Sequence, residues 1–258
     1  MDTDAVLDLI REVADQVVVP RFRDLADSEV SEKGPGDLVT VADREAEELL
    51  TRALGAAYPD AVLLGEEATA HDPELLTRYR AAEHAFTIDP VDGTKNFVKG
   101  SADHAVMVAE VRGGETVRSW IWQPQHEKAY VAERGAGAWR DGERLTRPPL
   151  GDALRGVTSR RSWIGRALGT LSALELTWVC CGIDYPKLVE GEADYALYSR
   201  SKPWDHAPGS LLLTEAGGYV GDRDGARYEP QSAASSGLVA AADQATYDLV
   251  SGLIPDLG

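Results

Sequence analysis

Cysteine is nearly missing: the 258-residue chain has two, Cys180 and Cys181, next to each other. Two neighbours cannot build a disulfide framework, which fits a reducing compartment. With no further cysteine or nearby histidine they make a poor metal site, and they read as buried small side chains. No apolar run is long enough to span a membrane. Met1-Asp2-Thr3-Asp4 carries neither a basic region nor an apolar stretch, so no secretory leader is expected and a cytoplasmic location is. Positive charge is also short, with 26 Lys and Arg against 43 Asp and Glu and a net charge of -17. Such a surface repels phosphate backbones, which argues against nucleic acid as a partner.

What is present is ordinary for a globular protein: 43% hydrophobic and 27% charged residues, enough for one large domain or two modest halves. Val6, Leu9, Ile10, Val13 and Val17 recur at helical spacing, and Pro20 should kink or end that helix. Glu32 to Asp37 reads as a loop by composition. A second helix carries Val41, Ala46, Leu49, Leu50 and Ala53, opened by Thr40 and Asp43 in the spacing of a capping box. Ala61–Leu64 and Ala85–Ile88 read as strands, each running directly into acid. An antiparallel meander is expected between His104 and Trp139, and helices over Asp184–Glu190 and from about Asp205 to Ala216, where Gly217-Gly218 stops the second helix. Helices and strands without clean alternation of the two indicate α+β layers.

The most informative segment is Asp89-Pro90-Val91-Asp92-Gly93-Thr94. Pro90 biases Asp89 toward an extended conformation, so both carboxylates can converge at a strand end with the Val91 carbonyl between them. Such hard oxygen ligands suit magnesium. Gly93 lets the backbone approach a ligand, and a helix opening at Gly93 and Thr94 favours phosphate. A plain turn is the competing reading, because Asp-Pro and Asp-Gly are common in loops.

This segment resembles the signature of the inositol monophosphatase family, magnesium-dependent and lithium-sensitive phosphatases. Gly65-Glu66-Glu67, Trp204-Asp205-His206-Ala207-Pro208-Gly209 with Glu215-Ala216-Gly217-Gly218, and Lys33 with Asp37 to Asp43 resemble its other elements, in the family's order. Glu133 to Ala138 resembles its glycine hairpin. The resemblance implies a layered αβαβα sandwich of the inositol monophosphatase and fructose-1,6-bisphosphatase type. One phosphatase domain would cover 1–258, with most ligands in 1–145 and Asp205 and the specificity residues in 146–258. It implies a homodimer and two or three Mg2+ per site, held by Glu66, Asp89, the Val91 carbonyl, Asp92 and Asp205. Thr94, Asp43 and Glu66 would be catalytic, Thr94 and Asp43 as a pair orienting the attacking water. Gly93, Thr94 and Lys33 would bind substrate.

The sequence departs from the pattern in its polyol half. Tyr198 stands where the family usually has a glutamate that grips sugar hydroxyls, and Cys181-Gly182-Ile183-Asp184-Tyr185 where it has a Gly-Ser/Thr-Ala-Ala run. Asp184, Tyr185, Tyr198 and Arg200 become the candidate specificity residues. The expected activity is hydrolysis of a small phosphomonoester: inositol monophosphate or a related polyol or sugar phosphate. Histidinol phosphate and adenosine 3',5'-bisphosphate are the alternatives; an aromatic shelf near Tyr198 or a second anion site would favour the nucleotide. A regulatory partner of the transcription machinery is the reading of another class. No Gly-x-Ser-x-Gly and no Asp-x-Asp-x-Thr arrangement supports a serine or aspartyl nucleophile. Residues 224–258 match no chemistry.

Overall fold

The computed structural model describes residues 1–232 and 237–254; positions 233–236 and 255–258 of the expected C-terminal half lie outside the described residues. Helix α1 (Thr3–Val13) buries Val6, Ile10 and Val13 on one face, and Asp2 caps it by accepting from the Ala5 N–H. It runs through a wider turn, Ala14–Val18, and ends in a tight turn holding Pro20. The expected loop at Glu32–Asp37 is instead a hairpin, β1 (Val30–Gly34) and β2 (Asp37–Thr40), with only Pro35 and Gly36 at the turn. Cross-strand pairing overrides the local preference of a Gly- and Pro-rich stretch.

Helix α2 (Val41–Ala57) follows, then β3 (Val62–Gly65), α3 (Glu66–His71), α4 (Glu74–Ala81), β4 (His84–Asp92) and α5 (Thr94–Val98). The expected meander is β5 (Ala105–Arg112), β6 (Glu115–Gln123), β7 (Lys128–Glu133) and β8 (Gly137–Arg140), extended by β9 (Glu143–Arg144). The C-terminal part comprises β10 (Gly156–Thr158), β11 (Glu175–Leu176), α6 (Cys181–Val189), β12 (Tyr195–Tyr198), α7 (Pro203–Glu215), β13 (Tyr219–Asp222), β14 (Leu238–Ala241) and α8 (Gln244–Leu253). Helix α6 begins three residues before the expected Asp184, and α7 begins at Pro203, so Asp205 lies inside its first turn.

Among the described residues one sheet has seven strands in the order β3 to β9, parallel only at β3–β4, and another has five in the order β11-β10-β12-β14-β13. Side chains alternate across each sheet, and this sorts the core into layers. On β5, Val106 and Val108 join the core formed with α1 and α2, whereas Ala105 and Met107 face the core that holds α6 and α7. On β14, Leu238 and Ala240 face that same central core, and Val239 and Ala241 pack with Tyr247 and Val250 of α8. The sequence of layers is therefore helix, sheet, helix, sheet, helix, the expected α+β sandwich.

The middle helices pack without slack. A Cβ on Gly209 of α7 would collide with the Tyr185 ring of α6. Tyr185 is fully buried, so a core residue sits where a specificity residue was expected. Gly209→Ala should lower the unfolding free energy by about 1–3 kcal/mol through overpacking. Urea denaturation measures it, and an unchanged midpoint would mean the two helices do not touch there.

Candidate metal centre and active site

Strand β4 delivers the first two acids. In a regular strand, residues three apart face opposite sides. Here Asp89 pairs with Met107 but Asp92 with Ala105, so β4 carries one extra residue at Pro90–Val91. The bulge breaks the alternation at the strand's end. Gly93 then turns the chain with φ 80°, and α5 begins at Thr94. Parallel neighbour β3 ends at the same level and passes directly into α3, whose first residue is Glu66. Asp205 arrives from the first turn of α7, with Pro203 at the helix start, where its missing N–H costs nothing.

Glu66, Asp89 and Asp205 each bring a carboxylate oxygen within 4.8 Å of the others. Asp89 is buried and its Oδ1 has no hydrogen-bond partner. Burial pushes its carboxyl well above the usual range, and the charges of Glu66, Asp92 and Asp205 push it further. Burial raises Asp205 in the same way, followed by Glu66 and Asp92. Glu66 is pushed up to about 7 by burial, against the pull of Lys33. An orphaned buried oxygen among acids that resist ionising together is the donor set a hard cation fits.

Asp92 lies outside that triplet. Its Oδ2 is occupied by the Gly182 N–H at 2.5 Å and the Cys180 Sγ at 2.9 Å, at the start of α6. Burial raises its pKa while these donors oppose the rise. It still lines the same cavity of about 390 Å3 as Glu66, Asp89, Val91, Gly93, Thr94, Arg200 and Asp205.

Thr94 and Asp43 meet as expected: the Thr94 hydroxyl lies 3.1 Å from Asp43 Oδ1 and 3.0 Å from the Val91 carbonyl oxygen, both within donating reach. Asp43 also caps α2, its Oδ2 accepting from the Thr40 N–H at 2.8 Å and hydroxyl at 2.5 Å. The capping and catalytic readings thus describe one side chain using different oxygens. Burial pushes Asp43 up to about 6, against the Thr40 hydrogen bonds. Lys33, expected at the substrate, bonds instead to Glu66 and Glu67, each at 2.7 Å. Burial works against the Lys33 charge, but these carboxylates outweigh it and hold its pKa above the ordinary value.

A second cavity of about 380 Å3 adjoins the first, sharing Asp92, Lys95, Val179, Arg200 and Asp205, and takes in Asp184 and Tyr198. Asp184 is buried and its Oδ1 accepts from the Trp178 N–H at 2.8 Å. Tyr198 is buried too, its ring packed on Tyr185 at 5.6 Å and His206 at 4.7 Å. Those contacts leave no aromatic shelf there. Glu47 escaped the sequence reading: its carboxylate accepts from the Glu67 and Ala68 N–H groups and so fixes the turn that presents Glu66. A Cβ on Gly65 would collide with that carboxylate. Its signal was an acid on the buried stripe Asp43, Glu47, Leu50, Leu54 of α2.

These raised acids bind protons more tightly folded than unfolded. In chelator, stability should therefore fall as pH rises from Glu66's ordinary 4.5 to about 7, its folded value. Magnesium at pH 8 should restore it, because a cation replaces the protons. Thermal melts at several pH values measure this; a midpoint insensitive to pH in chelator would refute the clustering.

Comparison with known proteins agrees with the fold. The profile of the inositol monophosphatase family matches residues 3–257. An inositol-1-monophosphatase of Mesorhizobium japonicum is 34% identical over 227 residues, 79% of each chain. A Nus factor SuhB of Vibrio cholerae is 30% identical over 75% of each. An IMPase of Thermotoga maritima superposes with a TM-score of 0.81, at 24% identity, over 99% of this chain and 98% of its own. An IMPase/NADP phosphatase complexed with Mg2+ and phosphate does so at 0.78, with 22% identity, over 97% and 92%. With nearly its whole length matched and its layers in the same arrangement, the chain belongs to the inositol monophosphatase family.

Proposed function

We propose that the chain is a magnesium-dependent phosphatase that hydrolyses small phosphomonoesters with water as nucleophile. The observation that carries this is Asp89, whose buried, unpartnered Oδ1 sits among Glu66 and Asp205 beside the Thr94–Asp43 pair. Glu66, Asp89, Asp205, the Val91 carbonyl and Asp92 would hold Mg2+, two or three ions per site. When bound, magnesium supplies charge stabilisation to the phosphate oxygens and acidifies a bound water.

The chain's own groups do the rest. The Thr94 hydroxyl has a lone pair to accept from the attacking water while it donates to Asp43. The Thr40 bonds fix the Asp43 carboxylate, so that its Oδ1 can accept from the Thr94 hydroxyl and orient it. The Gly182 N–H and Cys180 thiol hold Asp92 Oδ2 and so fix the orientation of its carboxylate. The homodimer implied by the family belongs to the same reading, and sedimentation decides it. A partner role in transcription draws support from the Vibrio relative's name, but the net charge of -17 disfavours direct contact with RNA.

Phosphate release from an ester panel, run with magnesium, with chelator and with added lithium, tests the proposal. Magnesium-dependent release that lithium inhibits is the expected outcome; release undiminished in chelator would sink it. Thr94→Ala should lower kcat by about 10²–10⁴-fold, the range for a lost proton-handling group. The rise in thermal midpoint with magnesium should survive that substitution, and wild-type kcat would remove Thr94 from the mechanism.

A further inference from the structure

One residue at the mouth of the site is held in a conformation its side chain disfavours. Among the described residues, Arg23, Glu127, Asp141 and Val179 are the non-glycine positions in the left-handed region. Val179, at φ 61°, is the β-branched one of the four. Two heavy atoms on Cβ crowd the backbone there, so a valine at positive φ is an outlier that other contacts must enforce.

Those contacts lie on both sides of it. Val179 joins edge strand β11 to α6, and its N–H donates to the Thr177 hydroxyl oxygen at 3.2 Å. The Trp178 N–H donates to Asp184 Oδ1 at 2.8 Å, and the Trp178 carbonyl accepts from the Asn96 amide at 3.0 Å. Asn96 is itself tied to the Asp103 carbonyl oxygen at 2.8 Å. On the other side the Cys180 thiol lies 2.9 Å from Asp92 Oδ2. Relaxing Val179 would disturb several of these bonds together, so the strain persists. A glycine would satisfy them without strain. The valine side chain adds little to the core in return, because the residue is 38% exposed. Strain that folding does not need collects where a side chain meets a ligand.

Val179 is placed for that. It lines both the cavity at the carboxylate centre and the one beside it. The other residues common to the two are Asp92, Lys95, Arg200 and Asp205, all charged, so Val179 is the apolar surface of the junction. An ester with its phosphate at the carboxylates must lay its alcohol across this junction. A hydroxyl turned to the valine methyls gives up water and gains no partner. A C–H face turned there gives up nothing and leaves water favourably. Tyr198, buried against Tyr185 and His206, brings no carboxylate to grip a hydroxyl instead.

Resting on the phosphatase reading, we infer that Val179 is a specificity-determining residue. Its strained backbone presents an apolar wall to the alcohol and selects phosphate esters that turn a C–H face to it over rings hydroxylated at every carbon.

Cyclohexyl phosphate and inositol 1-phosphate test this, because they share a six-membered ring and differ in its hydroxyls. In the full chain with magnesium, kcat/KM should be about tenfold higher for cyclohexyl phosphate, the cost of one unpaired hydroxyl. Val179→Thr keeps the branched shape and the strain but exchanges a methyl for a hydroxyl, so it should shrink that ratio at an unchanged thermal midpoint. Val179→Gly should shrink the ratio as well and raise the midpoint by about 2–4 °C, because glycine is at ease in the left-handed region. A wild-type preference for inositol 1-phosphate, or a ratio that both variants leave intact, would overturn the inference while leaving the phosphatase standing. A lower midpoint in Val179→Gly would overturn it too, by making the valine a structural residue. No magnesium-dependent release from either ester would count against the phosphatase itself and take the inference with it.

Discussion

The active-site region answers to the mutual repulsion of a few crowded carboxylates, Asp89 buried and Glu66 and Asp205 half-buried. Glu66, Asp89 and Asp205 lie within 4.8 Å of one another, and burial removes the water that would screen them. Protons or cations must relieve that repulsion, so folding, ionisation and metal binding become one coupled equilibrium. The surrounding structure spends much of its hydrogen bonding on holding these acids where they would not choose to be. Glu47 fixes the start of α3, the first turn of α6 restrains Asp92, and Lys33 answers Glu66 and Glu67 with a charge of its own.

The layered architecture makes such a centre affordable. Each acid comes from a different element: a helix start, a bulged strand end and the first turn of a helix in the central layer. No local segment has to carry the whole electrostatic strain. The tight contact of Gly209 with Tyr185 keeps α6 against α7. Two adjoining cavities open beside these acids and share Asp92, Lys95, Val179, Arg200 and Asp205.

Much of this was legible in the residues. Period-two alternation gave the meander, helical spacing gave α1 and α2, and the acids ending two apolar runs marked the site. The hairpin at Val30–Thr40 was not legible, because strand pairing depends on a partner and not on composition. Tyr185 read as a specificity residue by its place near the altered motif, yet it is core, since helix phase and not sequence proximity decides what a side chain faces. Glu47 was visible only as an acid on an apolar stripe, a pattern without meaning until the N–H groups of Glu67 and Ala68 stand opposite it.

The sequence by itself pointed to the family, the layered fold and the acids that cluster, because these rest on short motifs and on periodicities that local geometry enforces. Tertiary structure alone decided how those acids share their oxygens: that Asp43 caps a helix with one and meets Thr94 with the other, and that Asp92 gives one to the start of α6. It alone also brought Arg161 and Arg200 to one rim, from positions 39 residues apart. The physical reason is the same in both cases. Motifs record which groups are present, but charges and hydrogen bonds act through distance, and distance between remote residues exists only once the sheets and helices have packed.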